Sequence, residues 1–255
     1  MAYDGAGFHG WQVQPGVRTV EGELAAAVEL MARRPIKVWG ASRTDAGVHA
    51  LGQVAAFDDP GTHAPEAWYR ALNRNTGDGL VVRAVYRVPA TFHPRHDARG
   101  KIYHYRIVEG FHALPHLSRT SIREPSRLDV EAMHAAAQRL VGEHDFSAFR
   151  GVGCDASSPV RRLYGLRVER RGECVRVEVV GSAFLKYMVR IIVGTLLEVG
   201  RGRRDAGWVG GVLAGRDRAK AGMTAPPEGL TLARIFHPDL PLRDAAGAER
   251  CRWFD

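Results

Sequence analysis

The chain has 255 residues, 45% of them hydrophobic, and a formal net charge of +8 at pH 7. This length suffices for a sizeable core in one large domain or two modest ones. No stretch approaches the roughly 18 consecutive apolar residues of a membrane span, which excludes a helical membrane protein. The basic balance favours a polyanionic partner such as nucleic acid, but many basic proteins bind none, so the charge alone does not decide.

The sequence has neither a cysteine cluster nor a nucleotide-binding loop. Its three cysteines, Cys154, Cys174 and Cys251, lie far apart and form no CxxC pair, so neither a zinc site nor a disulfide framework is expected. The glycine-rich loops that bind nucleotides are absent as well. With no disulfide framework and no basic and apolar leader at the N-terminus, we expect a cytoplasmic protein. Because the motifs named above are missing, we expect it to need no metal and no other cofactor.

The first 35 residues predict a polar loop and then an amphipathic helix. Three aromatic side chains of the glycine-rich loop over residues 5–16 can stack on bases: Phe8, His9 and Trp11. For Trp11, packing in the core is an equally good alternative. Thr19 is placed to cap a helix that ends before Pro35. One face of this helix is apolar and consists of Leu24, Ala27, Val28 and Met31.

The segment from Ala41 to Ala50 carries charged and small side chains between two β-prone segments, residues 37–39 and 53–57. We therefore expect a loop held between two strands. Such a loop can present charged side chains to a cleft from a rigid base, here Arg43, Asp45 and His49. The local pattern alone favours a plainer alternative, in which Asp45 only caps a turn or the next helix.

The middle of the chain predicts a second helix and two strands. Pro65 can occupy the first position of the helix. Its buried side consists of Trp68, Ala71 and Leu72. We expect a turn over residues 73–79 and strands over residues 80–88 and 101–108.

Between these two strands, residues 91–101 are dense in arginine and histidine and are the best local candidate for contacts to phosphate. His93, His96 and Asp97 suggest a metal site as a minor alternative, because the prolines and the lack of an i, i+4 pair on a helix argue against it. Residues 110–128 form a long connection, and we place a domain boundary there.

The second half begins with a helix that Asp129 caps and Gly142 ends. Two alternating segments, residues 163–169 and 174–180, then predict a hairpin. Further on, residues 225–229 form a rigid turn into a final strand. Strands and helices thus follow one another without regular βα alternation, which predicts the α+β class with a largely antiparallel sheet.

Residues 184–199 are apolar on almost every side, which is typical of a buried helix. Arg190 lies in the middle of this segment. Because an unpaired buried guanidinium is costly, Arg190 is expected to contact a carboxylate or a ligand phosphate. The partner is either an ordinary core Asp or Glu or, in a functional arrangement, Asp45 across a cleft.

The loop around Asp45 resembles the active-site signature of the tRNA pseudouridine synthase A (TruA) family over eight consecutive residues, Arg43-Thr44-Asp45-Ala46-Gly47-Val48-His49-Ala50. Five further blocks resemble those of the family, in its order: Tyr3-Asp4-Gly5, Phe8-His9-Gly10-Trp11-Gln12, Thr19-Val20-Glu21-Gly22-Glu23-Leu24, Tyr103-His104-Tyr105 and Phe184-Leu185-Lys186-Tyr187-Met188-Val189-Arg190. The resemblance covers nearly the whole chain. Two departures are a shortened apolar strand before Tyr3 and the presence of Ser42, where many members have glycine.

The resemblance implies the pseudouridine synthase fold. In that fold, two α/β halves share a continuous, largely antiparallel sheet with a basic central cleft, and members act as homodimers. We assign residues 1–110 to an N-terminal half with the Asp45 loop and residues 111–255 to a C-terminal half with the Arg190 helix.

The resemblance also implies that the protein converts uridine to pseudouridine at positions 38, 39 and 40 of the tRNA anticodon stem-loop. In this interpretation Asp45 is the catalytic nucleophile, and Arg190 holds it ionised through an ion pair. Tyr103 stacks on the target base, Arg43 contacts the RNA, and Leu230 supplies an apolar contact to the substrate. The reaction needs neither a redox step nor an energy source, so no cofactor is implied.

Two functions of other classes stay open at this point. A non-catalytic RNA-binding protein explains the charge and the aromatic residues, but it does not explain a carboxylate at the centre of a basic chain. A glycosidase or nucleoside hydrolase explains Asp45 but needs a second carboxylate as general acid, for which Asp97 is the best candidate.

Overall fold

The computed structural model of the protein describes residues 1–61, 63–112, 114–238 and 240. These residues contain five α-helices: α1 (Val20–Ala32), α2 (Pro65–Asn75), α3 (Val130–Gln138), α4 (Met188–Gly200) and α5 (Ala206–Gly215). No helix in this part of the chain has both the length and the apolar character that crossing a membrane requires. Cys251 lies outside the described residues.

The described residues also contain eleven strands. They are β1 (Ala2–Tyr3), β2 (Val38–Gly40), β3 (His49–Ala50), β4 (Ala55–Phe57), β5 (Leu80–Val81), β6 (Gly100–Glu109), β7 (Ile122–Glu124), β8 (Gly142–Asp145), β9 (Val160–Arg171), β10 (Cys174–Gly181) and β11 (Leu230–Phe236). Nine form one sheet in the order β5-β1-β3-β11-β6-β10-β9-β8, with β7 beside β6. Only the pairs β3 with β11 and β6 with β7 are parallel in this sheet. The predicted α+β fold with a continuous, largely antiparallel sheet is therefore confirmed.

Strand β11 connects the part of the sheet formed by β5, β1 and β3 to the part that begins with β6. It comes from the end of the described chain but lies between β3 and β6, which both precede residue 110. Leu232 pairs with Ala50 on one side and with Tyr103 on the other. This strand therefore places the end of the Asp45 loop one strand away from the middle of β6. The division of the chain at residue 110 stays a prediction.

The helix starts follow the predicted capping signals. The hydroxyl of Thr19 accepts a hydrogen bond from the Gly22 amide at 3.3 Å, and the carboxylate of Asp129 accepts one from the Ala132 amide at 2.9 Å. Pro65 is the first residue of α2, as predicted. These local rules hold because each cap depends only on residues within one helical turn.

Two predictions in the first half were wrong at their boundaries. Helix α2 continues to Asn75, through part of the segment predicted as a turn over residues 73–79. The strand predicted over residues 80–88 is limited to Leu80–Val81, because its partner β1 offers only Ala2 and Tyr3 for pairing. A strand needs a neighbour to satisfy its backbone groups, and this neighbour is short.

Two boundaries in the second half also differ. Helix α3 ends at Gln138, and Gly142 is the first residue of β8 instead of the stop signal of the helix. The apolar helix begins at Met188 instead of residue 184, because Tyr187 has a left-handed backbone with a φ of 62°. A right-handed helix cannot continue backwards through such a residue. The predicted hairpin of β9 and β10 is present.

The predicted loop between two strands is present, with one correction. Strands β2 and β4 pair antiparallel and form a separate two-stranded sheet. The segment between them is not all loop, because His49 and Ala50 leave it to form β3 in the large sheet. Asp45 therefore lies on a short connection that is anchored in both sheets.

The aromatic residues of the N-terminal loop pack mainly in the core. Phe8 and Trp11 are buried, whereas His9 is exposed. Core packing is therefore the correct alternative for Trp11, and the burial of Phe8 does not fit the stacking on bases expected of it. The hydrophobic core extends from these residues to the buried helix α4.

The close approach of α4 to the segment before β11 predicts a stability difference between two helical glycines. A Cβ at Gly194 would lie 1.7 Å from the Met223 carbonyl oxygen, whereas a Cβ at Gly211 in α5 would meet nothing within 4 Å. Gly194→Ala is expected to lower the free energy of unfolding by about 1–3 kcal/mol. Gly211→Ala is expected to raise it by up to about 1 kcal/mol. Urea denaturation measures both, and equal effects would contradict the packing described here.

Candidate active site

Backbone hydrogen bonds attach the Asp45 loop to the N-terminal segment. The Trp11 amide donates to the Thr44 carbonyl oxygen at 3.0 Å, and the Gly47 amide donates to the Phe8 carbonyl oxygen at 3.3 Å. Gly10 has a φ of +90°, and a Cβ there would lie 2.8 Å from the Thr44 oxygen, so glycine permits this approach. Asp45 is therefore held from both sides.

A buried network of polar side chains forms hydrogen bonds to the same loop. The Gln53 side chain donates to the Ser42 carbonyl oxygen at 2.6 Å and to the Tyr3 hydroxyl at 3.3 Å. Its amide oxygen accepts from the Ser42 amide at 3.3 Å, and the Tyr3 and Thr44 hydroxyls are 2.8 Å apart. Because buried polar groups are costly when unsatisfied, this network favours a single loop conformation.

His49 also fixes the loop, by accepting a hydrogen bond. The Gly5 amide donates to His49 Nδ1 at 3.1 Å, and the imidazole is buried. Asp4 Oδ1 lies 3.2 Å from the same nitrogen, and the described residues provide no hydrogen-bond partner for Nε2. His49 therefore connects the end of the Asp45 loop to the N-terminal segment.

Helix α4 brings Arg190 to the Asp45 carboxylate. Arg190 Nη1 donates to Asp45 Oδ2 at 3.1 Å, and Nε donates to the Ala225 carbonyl oxygen at 2.7 Å. The guanidinium carbon also lies 5.0 Å from the centre of the Tyr187 ring, a distance suited to a cation–π contact. The predicted contact of Arg190 with Asp45 is present, and two further groups, the Ala225 carbonyl and the Tyr187 ring, orient the arginine.

The environment of Asp45 changes its proton affinity. Burial raises the pKa of Asp45 above its ordinary value, while the hydrogen bond and charge of Arg190 and the charge of Lys186 lower it. The net direction is upward, so Arg190 limits the shift but does not reverse it. The Asp45 side chain is 27% exposed, and its Oδ1 has no hydrogen-bond partner among the described residues. One carboxylate oxygen is therefore left for a ligand.

Tyr103 lies in the middle of β6, close enough for the charge of Asp45 to act on it. Its ring is buried edge-to-face against Phe184, with ring centres 5.1 Å apart. Its hydroxyl lies 3.0 Å from Ser42 Oγ. Burial and the Asp45 charge raise the pKa of Tyr103 to about 12 against the effect of the Ser42 hydrogen bond, so the phenol is neutral at physiological pH.

The two remaining predicted site residues, Arg43 and Leu230, differ in their exposure. Arg43 is 58% exposed, and its contact of 3.9 Å with Asp155 is a surface ion pair of little energetic value. Leu230 is buried at the start of β11, opposite Tyr105. The Tyr105 hydroxyl donates to the Pro226 carbonyl oxygen at 2.7 Å, which fixes the turn that leads into Leu230.

Two contributors to the site were not predicted in this role. Lys101 Nζ donates to the Ala41 carbonyl oxygen at 3.0 Å and to Ser42 Oγ at 3.1 Å. From the sequence, Lys101 was predicted to lie in a segment that contacts phosphate, and Ser42 was noted only as a departure from the family. The alternation of β6 puts Lys101 on the same face as Tyr103, and this signal was available in the sequence.

The histidine-rich segment before β6 forms its own hydrogen-bonded turn. Asp97 accepts from the His93 amide at 2.7 Å, and His93 Nδ1 accepts from the Arg95 amide at 3.1 Å. In the part of the chain that the structure describes, no three His, Cys, Asp or Glu side chains are grouped for a metal ion. This turn therefore gives the metal-site alternative no support.

Comparison with known proteins decides the family. A family model described as tRNA pseudouridine synthase matches residues 1–97 and 136–238. The chain belongs to the tRNA pseudouridine synthase family. This membership confirms the resemblance seen in the sequence, and with it the fold and the class of enzyme, an isomerase.

Individual members of the tRNA pseudouridine synthase family match over nearly their whole length. The tRNA pseudouridine synthase A of Geotalea uraniireducens is 44% identical over 237 residues, which are 93% of this chain and 97% of that protein. The tRNA pseudouridine synthase A of Ralstonia nicotianae is 45% identical over 243 residues, 94% of this chain and 89% of that protein. A chain in the crystal structure of a Cbf5-Nop10-Gar1 complex matches with 13% identity and a TM-score of 0.35 over 88% of this chain, which is too distant to support an argument.

Replacement of Arg190 by methionine tests the electrostatics of Asp45. Methionine roughly keeps the shape but removes the hydrogen bond and the charge that lower the pKa of Asp45, so this pKa is expected to rise further. The carbon-13 carboxyl resonance of Asp45 is assigned as the one that disappears in Asp45→Asn. Its chemical shift as a function of pH then measures the change in the pKa. Arg201→Met is a matched control, because Arg201 pairs with Glu124 and not with Asp45. An unchanged Asp45 titration in Arg190→Met would contradict this account of the pair.

Proposed function

We propose that this member of the tRNA pseudouridine synthase family isomerises uridine at positions 38, 39 and 40 of the tRNA anticodon stem-loop, with Asp45 as the nucleophile. The observation that carries the proposal is the contact of 3.1 Å between Arg190 Nη1 and Oδ2 of Asp45, the aspartate of the family signature. The names of the similar proteins, tRNA pseudouridine synthase A, support the substrate class.

The chemistry requires a carboxylate and little else. The bond from N1 to C1′ breaks, the base turns, and a bond from C5 to C1′ forms, while C5 loses a proton and N1 gains one. Asp45 either attacks C1′ or removes a ribose proton. Both routes need an ionised carboxylate with an available oxygen. Arg190 and Lys186 favour the ionised form, and Oδ1 is the available oxygen.

The neighbouring residues take roles that follow from their positions. Tyr103 stacks against the target base beside Asp45. This role is supported by the effect of the Asp45 charge on the pKa of Tyr103, which requires the two side chains to be near each other. Arg43 is exposed on the same loop and contacts the RNA from which the base has been turned out. Leu230 supplies an apolar contact from the start of β11, and the cations near Asp45 contribute to a basic cleft. We further propose a cytoplasmic homodimer, on the resemblance alone.

Asp45→Asn tests the reaction and the nucleophile together. Unmodified tRNA with tritium at C5 of uridine releases the label only when the new carbon–carbon bond displaces it. The variant is expected to lose at least about 10³-fold in the release rate, because the amide cannot act as a nucleophile. The tRNA affinity of the variant, measured by filter binding, is expected to persist. Release from tRNAs with a single uridine at position 38, 39 or 40 tests which positions the parent protein modifies. Undiminished release by the variant would refute the assignment.

Replacement of Asp97 separates the isomerase from a hydrolase. Asp97 is exposed and accepts a hydrogen bond from its own turn at His93, so Asp97→Asn is expected to leave tritium release within about two-fold of the parent rate. A glycoside-cleaving enzyme with Asp97 as general acid would instead lose its chemistry and keep RNA binding. The same release assay, with chromatography for free uracil, distinguishes the two outcomes.

A further inference from the structure

Lys101 is a largely enclosed lysine that forms no ion pair with any carboxylate of the described residues. Its Nζ has two acceptors, the Ala41 carbonyl oxygen at 3.0 Å and Ser42 Oγ at 3.1 Å. Burial, with help from the charges of Arg95 and Arg161, lowers the pKa of Lys101 to about 8. An enclosed amine that loses its proton this easily can accept a proton near physiological pH.

Ser42 connects this amine to Tyr103. The Ser42 and Tyr103 hydroxyls are 3.0 Å apart, and among the described residues Ser42 Oγ is the one hydrogen-bond partner of the Tyr103 hydroxyl. Lys101 Nζ, Ser42 Oγ and Tyr103 Oη therefore form a chain of two hydrogen bonds. Ser42 and Tyr103 are both buried, so bulk water has little access to this chain.

The proposed reaction requires a base at C5 of the turned uracil, and Tyr103 is the group that stacks there. Tyr103 is a neutral phenol, because its pKa is about 12. A neutral phenol accepts a proton only when it passes its own proton to another group in the same step. Ser42 is the group in reach, and a serine hydroxyl in turn needs an acceptor, which the neutral amine of Lys101 provides.

We propose that Ser42 and Lys101 are positioning residues that form a proton relay for Tyr103 when C5 loses its hydrogen. The C5–H bond breaks, its electron pair restores the double bond from C5 to C6, and N1 takes a proton from water. The C5 proton binds Tyr103 Oη while the Tyr103 proton moves to Ser42 Oγ and the Ser42 proton moves to Lys101 Nζ. The resulting ammonium then returns its proton to solvent.

The charge of Lys101 controls this relay. A protonated Lys101 donates to both of its acceptors and has no lone pair to receive a proton. The relay therefore works when Lys101 is neutral, which the charges of Arg95 and Arg161 favour. The charge of Asp45 favours the neutral phenol of Tyr103. The rate of C5–H cleavage is expected to rise with pH as Lys101 loses its proton. Because many family members have glycine in place of Ser42, the inference concerns this chain.

Ser42→Ala is the main test, and the inference rests on the proposed function. Single-turnover tritium release from C5 is measured between about pH 6 and pH 9.5, together with the rate ratio for hydrogen and deuterium at C5. The variant is expected to release tritium about 10–100-fold more slowly at high pH, to lose the rise with pH and to show a larger isotope effect. Binding of tRNA is expected to stay within about two-fold.

Two further variants control for packing and charge. Ser121→Ala removes a hydroxyl that is buried to the same 7% exposure as Ser42 but donates to the Leu117 carbonyl oxygen, and it is expected to behave like the parent. Lys101→Arg keeps a cation but cannot become neutral. It is expected to behave like Ser42→Ala, whereas a role in charge or packing alone would leave it near the parent rate.

The possible results separate the relay from the reaction itself. No tritium release from the parent protein, or undiminished release from Asp45→Asn, would refute the proposed function and the relay with it. Release that depends on Asp45, with Ser42→Ala keeping both the pH dependence and the isotope effect of the parent, would overturn the relay and leave the proposed function intact. This second result would hold even if Ser42→Ala were slower or less stable.

Discussion

The contact between Arg190 and Asp45 is the constraint on which the site depends. It joins residues 145 positions apart, and the guanidinium is only 13% exposed. A cation in an apolar helix must find an anion or an acceptor for each of its donors, because unpaired burial is too costly. The Ala225 carbonyl and the Asp45 carboxylate accept hydrogen bonds from two of these donors, and so the helix, the turn before β11 and the Asp45 loop are held together.

Strand β11 makes this contact possible within the sheet. By pairing with β3 on one side and β6 on the other, it fixes the distance between the Asp45 loop and Tyr103. The turn before it approaches α4 so closely that no side chain fits at Gly194. Sheet pairing and helix packing thus act on the same few residues, which gives the site a rigid base.

Burial in the site changes the proton affinities of three groups in ways that complement one another. It raises the pKa of Asp45 and of Tyr103, and it lowers the pKa of Lys101. Each shift has the same origin, since a site with little water disfavours charge on every group. Arg190 counteracts the shift at Asp45, so the carboxylate is the one of the three groups with a cation directly bonded to it.

The sequence by itself determined the features that depend on near neighbours: the caps at Thr19 and Asp129, the β9–β10 hairpin, the signature loop and the need of Arg190 for a partner. Only the tertiary structure decided how far each element extends and which distant groups meet. The strand after Leu80 is short because β1 is short, and His49 accepts a hydrogen bond because Gly5 lies beside it. The link from Lys101 through Ser42 to Tyr103 and the upward shift of the Asp45 pKa likewise required the folded chain. Strand pairing, burial and proton affinity depend on residues far along the chain, and no local pattern records those neighbours.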